Sequence, residues 1–282
     1  MSSPLVRVAG LSVATVRSGV TVVDDVGFEV GPGEILGVVG ESGSGKSVTC
    51  KTVLGILPQQ LRVAAGSVEL NGQDVRDFGY DQWRPLRGRF VSAVFQDPGS
   101  YLNPTIPVGR QLQETLRVRF GIRRRVAATR ADLLFTELGL DPATGVGDKL
   151  PRELSGGMLQ RTVLAIALAG QPSLLIADEV TTALDVSVQA QVLDVLRGRR
   201  EETGLSIVFV SHDLAVVGAI CDRIIVMRRG RIVEAGPARD VLTAPRHEYT
   251  RLLISEHEKY GIERFVDAEE TDRERRYAAT VA

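Results

Sequence analysis

Gly40-Glu41-Ser42-Gly43-Ser44-Gly45-Lys46-Ser47 follows the short apolar run Glu34-Ile35-Leu36-Gly37-Val38-Val39 and opens a helical pattern running from Lys46 to Leu57. The octet fits G-x-x-x-x-G-K-[ST], and it stands between a strand and a helix, the context this pattern requires. Its glycines let the backbone curl so that successive N–H groups point inward, and the positive end of the following helix adds to their field. Such a cradle holds phosphate. Lys46 is expected to reach the β- and γ-phosphates of a nucleoside triphosphate, and the Ser47 hydroxyl to ligate Mg2+. The apolar run before the loop reads as a strand covered on both faces. Pro58 marks where the helix should stop.

Upstream, Val6 to Val13 and Val20 to Val30 carry alternating or clustered β-branched residues, and Gly31-Pro32-Gly33 closes the second run. They read as antiparallel strands at one edge. Val68 to Leu70 with Asn71-Gly72 reads as another edge strand and its turn. From about Asn103 to Gln160 the character changes to long helical patterns, with a basic stretch from Arg117 to Arg130, and this region is read as a helical insertion. The run Arg123-Arg124-Arg125 decorates a solvated helix on this reading. Strand signals return at 174–177, 207–210 and 224–227. Helical patterns separate the first two, so the expected core is a largely parallel, doubly wound sheet.

Hydrophobic residues make up 44% and charged residues 24% of the 282 residues, with a formal net charge of -1. That balance suits a globular protein with no bulk attraction to nucleic acid or acidic surfaces. No apolar run reaches the ~18 residues of a spanning helix. Residues 1–10 lack a basic segment followed by an apolar one, so export is not expected. Cys50 and Cys221 stand too far apart to suggest a disulfide framework or metal cluster. If the chain works at a membrane, other chains do the spanning.

The phosphate loop alone leaves kinase, GTPase and ATPase readings open. Asp178-Glu179 ends the apolar run Leu174 to Ala177. A strand beside the loop strand would bring Asp178 to the Mg2+ shell and Glu179 to an attacking water. Adjacent residues at a strand end point in different directions, so two acids can divide these roles. Leu154-Ser155-Gly156-Gly157-Met158-Leu159-Gln160-Arg161 precedes a clean helical run. Ser155 suits an N-cap, and the two glycines leave the helix tip open to an approaching anion.

Gly40 to Ser47, Gln96, Leu154 to Arg161, Asp178-Glu179, Ala183-Leu184-Asp185 and His212 resemble, in order, the Walker A, Q-loop, signature, Walker B, D-loop and H-loop of ABC ATPases. The resemblance implies an α/β fold with a P-loop NTPase core, an antiparallel β subdomain and an inserted helical subdomain. It implies a single domain over about 5–255, with the helical part near 103–160 and a short, partly disordered tail at 256–282. ATP and Mg2+ are the implied ligands. Gly40, Glu41, Ser42, Gly43, Ser44, Gly45, Lys46, Ser47 and Val48 would hold the nucleotide from one chain. Ser155, Gly156 and Gly157 would close on it from a second ATP-binding chain, identical or paralogous, paired head to tail. Ser47, Gln96 and Asp178 would serve the metal, Glu179 would be the base, and His212 would touch the γ-phosphate and fix the geometry.

Phe95-Gln96-Asp97-Pro98 through Leu102-Asn103-Pro104 resembles the peptide and nickel uptake branch of this family. Lys46 to Cys50, Gly55 to Pro58 and Ala244 to Thr250 are similar to its nickel-import and metallophore-import subunits. That resemblance implies two polytopic permease subunits, an extracellular solute-binding protein, no nucleic acid, and a place at the cytoplasmic face of the cell membrane. Two positions depart from the family pattern. Val16-Arg17-Ser18 stands where an aromatic ring often stacks on adenine, leaving Arg17 as a candidate by its planar guanidinium. Val180 stands where proline is usual. An ABC ATPase working away from membranes remains an alternative, whereas a kinase would leave the Ser155 octet and His212 unexplained.

Overall fold

The computed structural model describes residues 3–182 and 184–258. In chain order the elements are β1 (Val6–Thr15), β2 (Thr21–Val30), β3 (Ile35–Val39), α1 (Lys46–Val53), β4 (Leu61–Leu70), β5 (Gln73–Asp74), α2 (Tyr80–Trp83) and β6 (Val91–Val94). They continue with α3 (Val108–Phe120), α4 (Arg124–Glu137), α5 (Gly156–Ala169), β7 (Leu174–Asp178), α6 (Val186–Thr203) and β8 (Ser206–Val210). The last are α7 (Leu214–Ile220), β9 (Arg223–Arg228), β10 (Arg231–Pro237), α8 (Ala238–Thr243) and α9 (Glu248–Glu258).

The strands make two sheets, one ordered β2-β1-β4-β5 and the other β10-β9-β3-β8-β7-β6. The first is antiparallel. The second is parallel apart from β10, which runs antiparallel to β9. Successive side chains of a strand face opposite ways, and the parallel strands divide their apolar residues accordingly. Ile35, Leu175, Ala177, Ile207, Phe209, Ile224 and Val226 join a core shared with the helices α3 to α8. Leu36, Val38, Ile176, Val208, Ile225 and Met227 join a second core with α1 and the antiparallel sheet. Helix α1 is thus held between the two sheets.

Between β6 and β7 the regular elements are all helical, as the residue pattern implies. Leu112, Leu116 and Phe135 of this region share one core with the sheet residues Ile207 and Phe209. Four features differ from the sequence reading. Helix α1 ends at Val53, not Leu57, because Gly55 takes a left-handed φ of 63°, a common helix terminator. A Cβ at Gly55 would also lie 2.2 Å from the Trp83 ring. Strand β4 begins at Leu61, seven residues before the expected start, and pairs with β1 along its length. Strand β7 is not beside β3, since β8 lies between them. Strands β6 and β10 complete the six-stranded sheet without having been anticipated. The tail expected at 256–282 begins inside α9, which runs to Glu258, and the rest of it falls outside the described residues, as does Ala183.

Candidate active site

The carboxyl ends of β3, β8 and β7 lie in register. Val38 pairs with Val210, and Val210 pairs with Asp178. Parallel α/β sheets bind ligands at this end, and the residues that follow these strands are the phosphate loop, Ser211-His212 and Glu179. The intervening β8 therefore does not separate the two acidic residues from the loop; it aligns them with it.

The loop itself is braced by its surroundings. Gly40 has φ 146°, and a Cβ placed there would stand 2.1 Å from the Met227 carbonyl oxygen. Gly40→Ala therefore sets a methyl group against main chain, which cannot swing aside. This substitution is expected to lower stability by about 3 kcal/mol or more, measured as the shift in urea midpoint; an unshifted midpoint would contradict the packing described. Gly230 donates its N–H to the Ser44 carbonyl at 2.9 Å. Lys46 Nζ donates to the carbonyls of Gly40 (2.7 Å) and Glu41 (2.9 Å), so the ammonium is folded back into its own loop. Burial pushes the Lys46 ammonium below its ordinary pKa, while the nearby Glu179 and Asp178 carboxylates pull the other way.

Asp178 is buried at the end of β7. Burial pushes its carboxyl above the usual carboxylate range, and a hydrogen bond with the Ser47 side chain draws it back. Glu179, one residue on, takes a left-handed φ of 56°, a conformation that costs a non-glycine residue of the order of 1–3 kcal/mol and gathers at functional sites. Its N–H is anchored to the Val210 carbonyl at 2.9 Å. The turn directs the carboxylate to three partners. Gln96 Nε2 donates to Oε2 at 2.8 Å, Thr182 Oγ1 to the same oxygen at 3.4 Å, and His212 Nδ1 stands 3.5 Å from Oε1. The His212 side chain is 55% exposed and that of Glu179 17%. His212 is free for this contact because Asp213, not His212, caps α7, accepting from the N–H groups of Ala215 and Val216.

Gln96, Glu179 and His212 are thus brought together from three separate stretches, beside the Ser47–Asp178 pair. Ser155, Gly156 and Gly157 are not part of this cluster. Ser155 caps α5, its Oγ accepting from Met158 N–H at 3.3 Å. Among the described residues no hydrogen bond joins these three to the phosphate loop. Ser155 and Gly156 are exposed, so the helix tip faces outward. Arg161, four residues beyond Gly157, ties the start of α5 to the end of α4 by donating to the carbonyls of Leu138 and Gly139 at 3.1 and 2.8 Å. Arg17 sits in the exposed β1–β2 turn, which the Thr15 and Ser18 hydroxyls close at 2.6 Å.

Reasoning from sequence missed Thr182 at the carboxylate and Tyr249 at the loop. Neither had a readable signal, since each acts through a contact that the chain alone does not reveal. The residues present suit a bound triphosphate with its metal. Among the described residues Ser44 Oγ is buried with no hydrogen-bond partner and Lys46 Nζ bonds to main-chain oxygens alone, and Ser47 with Asp178 offers one hydroxyl and one carboxylate. Hard oxygen donors in such small number fit Mg2+, which retains waters and shares phosphate oxygens.

The chain is similar to proteins named for peptide import and to solved ATP-binding cassettes. A peptide-import ATP-binding protein by name, from Brucella abortus (strain 2308), is 43% identical over 256 residues, covering 90% of this chain and 77% of that one. A second relative named in the same way, from Brucella melitensis biotype 1, is 41% identical over 266 residues, covering 92% and 79%. Among solved structures, a dimeric post-hydrolysis state of an ATP-binding cassette bound to ADP and Pi superposes with TM-score 0.75 at 25% identity, covering 83% of this chain and 99% of that one. The family model described as ABC transporter matches residues 23–182, more than half of the chain and the stretch that carries the phosphate loop, the α5 tip and Glu179. On both the site's arrangement and these likenesses, the chain belongs to the ABC transporter family.

Proposed function

We propose that this chain is the ATP-hydrolysing subunit of an importer that moves peptides across the cytoplasmic membrane. One observation carries the hydrolytic part: a carboxylate on a strained turn, oriented by Gln96 and facing His212, stands at the sheet end that also presents the phosphate loop. Glu179 is the proton acceptor for a water attacking the γ-phosphoryl group. Gln96 holds that carboxylate and reports to it from the loop after β6. Lys46 turns from its own loop carbonyls to the β- and γ-phosphates, while Ser44, Ser47 and the first amides of α1 complete the cradle. Ser47 and Asp178 would hold Mg2+, which, when bound with the nucleotide, would neutralise charge on the phosphates.

The outward tip of α5 has no phosphate of its own to meet. A second ATP-binding chain, paired head to tail, brings its loop to Ser155, Gly156 and Gly157 and receives this chain's loop in return. The relatives' names favour a peptide cargo over nickel or a metal chelate. The same reading places the chain at the inner face of the membrane beside two permease subunits, with a solute-binding protein outside. No helix among the described residues is long and apolar enough to cross a membrane, so spanning falls to those partners. The test is purification of the chain from membranes of its own cell. Polytopic subunits should co-purify, and ATP hydrolysis by the complex should disappear on chelation of Mg2+. Co-purification with ribosomes or DNA in their place would overturn the transport reading.

A further inference from the structure

The phosphate loop is held from outside by an element that lies beyond the 23–182 match. Tyr249, near the start of α9, is buried, and its hydroxyl accepts a hydrogen bond from the Glu41 N–H at 2.9 Å. Glu41 is the second residue of the loop, and its carbonyl is one of the two that hold Lys46 Nζ. The same peptide segment is therefore fixed on one side by the tyrosine and on the other bound to the lysine that must move to phosphate.

The tyrosine is itself fixed in place. The Arg228 guanidinium lies over its ring, 4.6 Å from the centroid, a contact that orients an aromatic ring as well as stabilising it. The turn into α9 is pinned to β10, because Glu234 accepts from the N–H groups of Arg246 and His247 at 2.8 and 3.0 Å. His247 Nδ1 then accepts from the Tyr249 N–H at 3.0 Å. A continuous set of contacts thus runs from the β10 edge through α9 to the loop. Burial pushes the phenol above its ordinary pKa.

We infer that Tyr249 is a positioning residue for nucleotide binding: its hydroxyl presets the Glu41 peptide so that the phosphate loop is already shaped when ATP arrives. Preorganisation of this kind strengthens binding by removing an ordering cost. Glu41 N–H would otherwise turn to water, leaving the entry limb of the loop free to sample other shapes. The inference rests on the ATP reading above.

The test compares the wild-type chain with Tyr249→Phe, which keeps the ring beneath Arg228 and removes only the hydroxyl. ATP is titrated calorimetrically, steady-state hydrolysis is measured, and amide hydrogen exchange is followed in the nucleotide-free chain. The expected result is a Kd and KM for ATP raised roughly three- to tenfold, with kcat unchanged. Exchange at Glu41 should quicken while Thr49, bonded within α1 to Gly45, exchanges as before. The melting temperature of the nucleotide-free chain should fall by no more than about 2–4 °C. A Kd and KM equal to wild type would overturn the inference. So would a lowered melting temperature with an unchanged KM, which marks the hydroxyl as ordinary packing. If the wild-type chain itself fails to bind ATP, the functional reading falls, and with it the premise on which Tyr249 was judged.

Discussion

Glu179→Gln is expected to bind ATP as the wild-type chain does while releasing phosphate about 10²–10⁴-fold more slowly. Glutamine has the size of glutamate but cannot take up a proton. It also accepts the same backbone demand, since the left-handed turn at residue 179 asks equally of either side chain. The carboxylate contacts are local, to Gln96, Thr182 and His212, so the loop that binds nucleotide should be undisturbed. Hydrolysis should fail after binding, leaving a long-lived ATP-bound state. Phosphate release and nucleotide binding, measured on the same preparation, check both halves. Normal release by the variant would remove Glu179 as the base.

Lys46→Ala should act one step earlier. The side chain is buried and its ammonium is bonded to the Gly40 and Glu41 carbonyls; on the proposed function it turns from them to two phosphates. Two charge-assisted hydrogen bonds are lost together, so ATP affinity should fall about a hundredfold or more. The free chain should also loosen locally, because the Gly40 and Glu41 carbonyls lose their shared donor. The binding defect should exceed any loss of folding stability, for water can reach the exposed Glu41. A titration that shows unchanged affinity would discard the phosphate-loop assignment. The two substitutions separate binding from turnover: one should abolish the first, the other only the second.

Much of this arrangement was legible in the residues because it is written locally. The glycine-lysine-serine octet, the acidic pair at a strand end and Ser155 before two glycines each carry a local conformational demand, and the structure meets each where expected. Ser155 does cap α5, and Asp178 does end β7. What could not be read depends on contacts across the chain. The place of β8 between β3 and β7 is a matter of sheet order, which apolar runs do not encode. Strand β6 is four residues long, and β10 is only half-buried on an edge, so neither has the continuous apolar run that betrays β3 or β8. The early stop of α1 was available in Gly55, but Pro58 offered the more conspicuous punctuation. Tyr249 is separated from Glu41 by 208 positions, and no local pattern links them.

The proposed pairing of two chains is the claim on which the rest depends, because the tip of α5 is exposed and, among the described residues, makes no hydrogen bond to its own phosphate loop. On the proposed pairing each chain supplies both halves of a composite site, and two copies of this chain complete it in solution. Light scattering on Glu179→Gln with saturating ATP and Mg2+ measures this directly. The mass should double from one chain to two, and Ser155→Arg, which places a bulky cation at the tip, should return it to one while ATP remains bound. A chain that binds ATP fully yet stays at the mass of a single copy would contradict the account.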